Sequence, residues 1–208
     1  VLSNDPDFGL HVGERISPSS YPVLGYTLMS CRDLNHALQL VTRFLNIIHN
    51  LGSFEISVED EELRVRWNQR LPAGDSSRHV TESVMVGVRV FAERLAERSL
   101  PIRSFSFVHS CREDLSELNR HFGPNLIFDA PHNEVACDAQ VLDWPVVGAD
   151  ESLFPVLKEH AERLLILRSV QGGIVDEVRK ALNTVLASGN VKLQQIAKRL
   201  AMHPRTLQ

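Results

Sequence analysis

Apolar residues at Leu34, Ala37, Leu38, Val41, Phe44, Leu45, Ile48 and Leu51 recur with the period of a helix and give it one wide buried face. The pattern predicts a helix over 34–51, capped by Asp33 and ended by Gly52. The period then changes to two. Phe54 to Val58 and Leu63 to Trp67 alternate apolar and polar residues on either side of Glu59-Asp60-Glu61-Glu62, the pattern of a β-hairpin with an acidic turn. Leu71 to Ser77, with Pro72 and Gly74, reads as a loop. A second helix follows to about Arg98, with Val84, Val88, Phe91 and Leu95 on one face. Ile102 to Val108 alternates as a strand, and Leu115 to Phe122 is a short helix stopped by Gly123-Pro124. Leu126 to Phe128 and Glu134 to Cys137 are short strands around Pro131-His132-Asn133. This order predicts an α+β fold, helices packed on a mixed sheet. It lacks the uninterrupted strands of a jelly roll.

The remaining pattern is helical. Asp150 to Arg168 carries an apolar stripe of Leu153, Val156, Leu157, Leu164 and Leu167, with Ile166 partly off it. Ser169 to Gly173 is the best linker, and Ile174 to Ala187 a helix closed by Ser188-Gly189-Asn190. Leu193, Ile196, Ala197 and Leu200 then share one face of a short helix. Met202-His203 breaks it, and Pro204 sits where a following helix takes its first residue. Ala197 is small where a second helix would cross closely. This is the spacing of a helix-turn-helix, for which an ordinary αα-hairpin is the alternative. The expected organisation is a first domain over 1–168, a linker over 169–173, and an all-α helix-turn-helix start over 174–208.

The last stretch, VKLQQIAKRLAMHPRTLQ, resembles the first helix-turn-helix of the AraC/XylS family of bacterial transcription regulators, through Leu193, Ile196, Ala197, Leu200, Pro204, Arg205 and Leu207. His203 stands where that family has Ser or Thr, and imidazole caps a helix less well than a hydroxyl. Asp5 through Ile16 (DPDFGLHVGERI), GYTLMSCRDLNHALQLVTRF, FSFVHSCRED and FGPNLIFDAPHNEVACDAQVLDWPV resemble the arabinose-binding-like N-terminal effector domain of one AraC-type subfamily. Together they cover most of Asp5 to Val146. The resemblance implies a ligand-responsive, cytoplasmic transcription regulator that binds promoter DNA as a homodimer. It also implies a small-molecule effector, RNA polymerase as a partner of the intact protein, and no membrane association. The dimer stripe would be Leu153, Val156, Leu157, Leu164 and Leu167, which could equally pack on their own sheet. The chain stops inside the second helix of the motif, so it is expected to be part of a longer regulator.

Charge agrees with that division. The 208 residues sum to −4. From Val156 onward, nine basic residues stand against four acidic ones, a net +5, which leaves −9 for the rest. A basic end on an acidic body suits a nucleic-acid-facing end. Arg205, Thr206 and Gln208 are the expected base-reading residues, beside His203. Lys192, Lys198 and Arg199 are expected to contact phosphate. Cys31, Cys111 and Cys137 are few, odd in number and widely spaced, which fits reduced thiols better than disulfides. No run is long enough for a membrane helix, and no CxxC or HExxH suggests a metal; no cofactor is expected.

Catalysis has little support, so the chain is not expected to be an enzyme. His109-Ser110-Cys111 follows a strand and could be drawn as a thiol–imidazole pair, but neighbours at a strand end point apart. The same turn offers His109 and Arg112 as candidate effector-binding residues. The alternative to a regulator is a protein–protein interaction module whose helical tail is only a bundle.

Overall fold

The structure, a computed structural model, describes residues 4–72, 74–167, 193–200 and 202. The chain divides into two compact units, Val1–Ala161 and Glu162–Gln208.

The first unit is built on a five-stranded mixed sheet in the order β1-β2-β5-β3-β4. Its strands are β1 (Gly52–Glu59), β2 (Glu62–Gln69), β3 (Ile102–Ser106), β4 (Leu126–Ile127) and β5 (Asn133–Asp138). Neighbours run antiparallel except β3 and β4, which are parallel. Its helices are α1 (Phe8–Glu14), α2 (Pro22–Met29), α3 (Leu34–Ile48), α4 (Asp75–Ala96) and α5 (Ser116–Phe122), with 3-10 turns at Pro18–Ser20 and Ala139–Asp143. Helix α6 occupies 154–167.

The hairpin forms as its alternation requires. Leu63, Val65 and Trp67 face the core, and their partners across the strand boundary, Cys137 and Val135, are buried with them. Asp60 and Glu61 take positive φ (48° and 62°), the left-handed pair that closes a two-residue hairpin turn matching the sheet twist. The other face of the sheet carries charge. Glu134 accepts from Arg64 (2.8 Å) and from Arg66 (3.0 Å). The core is one cluster beneath the helices, including Trp67, Met85, Phe105, Phe107, Leu118 and Phe122.

Asp33 caps α3, its carboxylate accepting the His36 N–H at 2.7 Å. Gly52 does not end that helix. The helix stops at Ile48, and Gly52 opens β1, where an added Cβ would lie 2.5 Å from the Trp67 ring. The indole needs the space, so the glycine serves packing rather than a cap. Helix α4 begins at Asp75, inside the segment expected to be a loop, and β3 ends at Ser106. Helix α1 has no sequence pattern strong enough to announce it. It lies against α4 because Gly9 and Gly13 are bare: Cβ atoms there would stand 2.3 Å from the His79 carbonyl oxygen and 2.6 Å from that of Ser83. Asp150, the expected start of α6, instead caps the turn before it, accepting the Ser152 and Leu153 N–H groups.

In the second unit, α7 (Leu193–Arg199) is the helix expected from the apolar spacing. Ile196 and Ala197 are buried, Leu200 is half-buried, and Leu193 is exposed. The Met202 N–H bonds the Ala197 carbonyl at 2.9 Å, outside the helix. The linker over 169–173, the helix over 174–187 and the stretch from His203 to Gln208 lie outside the described residues.

Candidate functional site

Two features of the first unit stand out, and both are built on α4. The first is a buried polar cluster at its N-terminal half. Glu82 is fully buried. Its carboxylate accepts from Arg78, one turn earlier, at 3.1 and 3.2 Å. His79 lies 3.8 Å and His109 3.7 Å from the same carboxylate. Arg112 pairs with Asp7 and donates to the Pro6 carbonyl at 2.9 Å, which Arg78 also reaches at 3.1 Å. The cluster thus ties three segments together: the lead into α1, the first turns of α4, and the loop after β3.

Burial governs its protonation. It raises the Glu82 carboxyl above the ordinary carboxylate value, an effect that the guanidinium groups of Arg78 and Arg112 oppose. Burial also pushes the His109 imidazole down, so this ring resists protonation. Two polar atoms in the cluster are buried without a hydrogen bond, His109 Nε2 and Arg112 Nε, while Arg112 Nη2 and Asp7 Oδ1 face each other in the ion pair. His109 and Arg112, singled out from the sequence, therefore share one buried cluster. Its other members were not foreseen. The Arg78–Glu82 spacing of i, i+4 was a usable signal, whereas Asp7 has none in sequence.

His109 and Cys111 diverge although two apart in sequence, because β3 ends at Ser106 and strand alternation does not govern the turn. The imidazole turns into the cluster, while Cys111 is exposed and its thiol donates to the Arg112 carbonyl at 3.4 Å. Cys31 and Cys137 are buried, their thiols pushed up to about 12 and about 11 by desolvation. Both remain protonated and pack as small hydrophobes.

The second feature is a cavity of about 170 Å³ that is part-open to solvent. It lies between α2, α3, the C-terminal half of α4 and the apolar face of the sheet. Leu38 and Val41 of α3, Val84, Val88 and Ala92 of α4, and Val65 of β2 are among its walls. Arg89 is the one charged residue lining it among the described residues. One Nη of Arg89 donates to Glu93 at 2.6 Å, but its Nε is buried without a partner.

The stripe expected at a dimer interface is open over much of its length. Val156 is 63% and Leu167 58% exposed, Leu153 44%, while Leu157 and Leu164 are half-buried. Of the expected DNA contacts, Lys198 is exposed on α7. The Arg199 side chain, and all of His203, Arg205, Thr206 and Gln208, lie outside what is described. Among the described residues, no helix is long and apolar enough to cross a membrane.

A mixed sheet covered by helices on one face is followed in sequence by a short helix whose apolar spacing is that of the first helix of a helix-turn-helix. Residues 1–146 match the N-terminal arabinose-binding domain of AraC transcription regulators, and the chain belongs to that family. The ornithine utilization regulator of Pseudomonas aeruginosa is 24% identical over all 208 residues, which span 61% of that protein. The crystal structure of the transcriptional regulator CdpR from the same species superposes with a TM-score of 0.68 at 17% identity, covering 99% of this chain and 67% of the other. That likeness establishes the shared fold; by name one protein is a utilization regulator and the other a transcriptional regulator.

Proposed function

We propose that this chain is the effector-responsive and dimerising part, with the start of the DNA-binding part, of a regulator that binds promoter DNA in sequence-specific fashion. One observation carries the reading: similarity to a transcription regulator continues over all 208 residues, past the domain match that ends at 146 and through the helix with helix-turn-helix spacing. In this reading the first domain runs over 1–168, the linker over 169–173, and the DNA-binding part from 174. Lys198 and Arg199 neutralise phosphate, and His203, Arg205, Thr206 and Gln208 meet base edges. Leu153, Val156, Leu157, Leu164 and Leu167 pair two copies. The exposure of Leu153 and Val156 supports this, because a stripe that packed on its own sheet would be covered there.

Effector control acts by population shift: a ligand that favours one arrangement of the two DNA-binding arms changes occupancy of the operator. His109 and Arg112 take part through their cluster, which joins three separate segments and whose unpartnered polar atoms respond to any change in that packing. RNA polymerase is the partner that converts DNA binding into transcription, in the cytoplasm.

The test is DNA binding by the chain extended to its natural C-terminus, titrated against salt on promoter fragments. Selective binding that weakens steeply as salt rises is expected. A folded, extended protein that binds no fragment would refute the reading and favour an interaction module, whose apolar stripe takes another protein.

A further inference from the structure

Well-packed protein interiors hold few voids larger than a water molecule. The cavity beneath α2, α3 and α4 is larger, about 170 Å³, and it reaches down to the core strands β2 and β5 through Val65, Val135 and Cys137. A comparable apolar cavity of ~150 Å³ in another protein stays dry and takes a benzene-sized guest. Apolar walls of this extent therefore favour a hydrocarbon body over water. The side chains with polar N or O atoms in its lining are Tyr21, His49 and Arg89. Arg89 carries the charge. Its Nε–H is buried and bonded to nothing, while one Nη is held by Glu93. A buried donor left unmade keeps its desolvation penalty, and a ligand that accepts from it removes that penalty.

We propose that this cavity is the effector site, and that it takes a compact apolar molecule carrying one acidic or carbonyl oxygen group, about the size of a single six-membered ring. The proposal rests on the effector-responsive reading above and assigns its ligand class. The hydrocarbon body fills the space between Leu38, Val41, Val84, Val88 and Ala92, and the oxygen accepts from Arg89. A cationic amine is disfavoured, because the one charged group in the wall is itself positive. The site also has a route outward. Val84, Val88, Arg89 and Ala92 lie on the same helix as Arg78 and Glu82, so a ligand that shifts α4 acts on the buried cluster as well.

The test uses this chain with three probes of one shape: cyclohexanecarboxylate, cyclohexanol and cyclohexylamine. Binding is read by calorimetry and by thermal melting. The carboxylate at 100-fold over its Kd is expected to raise Tm by about 5–10 °C. The alcohol binds more weakly, and the amine produces no shift. Arg89→Gln should weaken the carboxylate about tenfold and leave the alcohol unchanged. Ala92→Phe, or Val88→Phe if the first does not fold, fills the space and should abolish binding of both while circular dichroism reports the native fold. Absence of binding by carboxylate and alcohol overturns the proposal. So does binding that survives both filling variants, or an amine that binds as well as the acid. None of these readouts involves DNA. Failure here leaves the regulator reading standing, and failure to bind DNA leaves the cavity result standing.

Discussion

Replacing Glu82 by Gln should be among the most damaging single changes in the first unit. The carboxylate is fully buried, while the Arg78 and Arg112 side chains are each 19% exposed. Glu82→Gln keeps the shape and one acceptor but, unlike protonation, sets an NH2 donor against Arg78, whose Nη1 bonds both carboxylate oxygens, and it leaves Asp7, on Arg112, as the remaining described carboxylate partner. Removing one member of a buried ion pair costs about 3–5 kcal/mol, chiefly because the other member is left buried and unpaired. Both arginines retain some solvent and both still reach the Pro6 carbonyl, so the low end, about 3 kcal/mol, is expected. At roughly 2–4 °C per kcal/mol for a protein of this size, Tm falls by about 6–12 °C. Urea unfolding followed by circular dichroism measures the change directly. The argument also predicts non-additivity. Arg78→Met with Glu82→Leu removes both charges together and should cost less than Glu82→Gln alone, because neither partner is stranded. The exposed pair Glu117–Arg120, at 32% and 51%, is the control, and Glu117→Gln should leave the urea midpoint close to that of the wild type. A loss below about 1 kcal/mol for Glu82→Gln, or strict additivity in the double variant, would refute the account of the cluster.

The histidines set a pH dependence. Burial lowers the values of His109 and His121 below the ordinary 6.5, so the unfolded chain takes up their protons first as pH falls. Their contribution is complete above 6.5 and is lost as pH drops through the lowered folded values. Glu82 works in the opposite sense: its folded value is raised above 4.5, so its contribution is lost as pH rises through the interval between them. His121→Gln should flatten the fall in stability below pH 6.5, and urea midpoints across that range would show it. Gly25→Ala puts a Cβ 2.3 Å from the backbone oxygen of Pro18, which a flexible side chain cannot relieve. A loss of about 1–3 kcal/mol is expected, and a wild-type melting curve would contradict it. Asp33→Ala removes the cap of α3 and should cost about 1 kcal/mol in urea unfolding. In the extended protein, Lys198→Ala should weaken DNA binding on all sequences alike and reduce the salt slope by about one. A loss confined to one operator would instead make Lys198 a base-reading residue.

Periodicity alone placed α3, the β1–β2 hairpin, β3, α5 and α7, because each must bury one face and the spacing of apolar residues records which. Asp33 was legible for the same reason, since a cap acts on N–H groups a few residues away. Gly52 shows the limit. A glycine after an apolar helix has the form of a stop, yet what it accommodates is the Trp67 ring from the neighbouring strand. Only the folded chain brings the two together. Helix α1 was hidden because it depends on two bare glycines against α4 more than on an apolar stripe of its own.

The candidate sites divide along the same line. His109 and Arg112 could be picked from a polar turn at a strand's end, but Glu82 and Asp7 reach them from segments far away in the chain. Their burial, and with it the shift of each proton equilibrium, exists only after folding removes water. The cavity has no sequence signature at all. It is space left between side chains of α2, α3, α4, β1, β2, β5 and the second 3-10 turn, each of which reads as ordinary core. Local physics determined the elements and the family pattern. Tertiary packing decided which charges are stranded, which donor is unmade and where room remains for a ligand, because desolvation and empty volume are properties of the assembled interior.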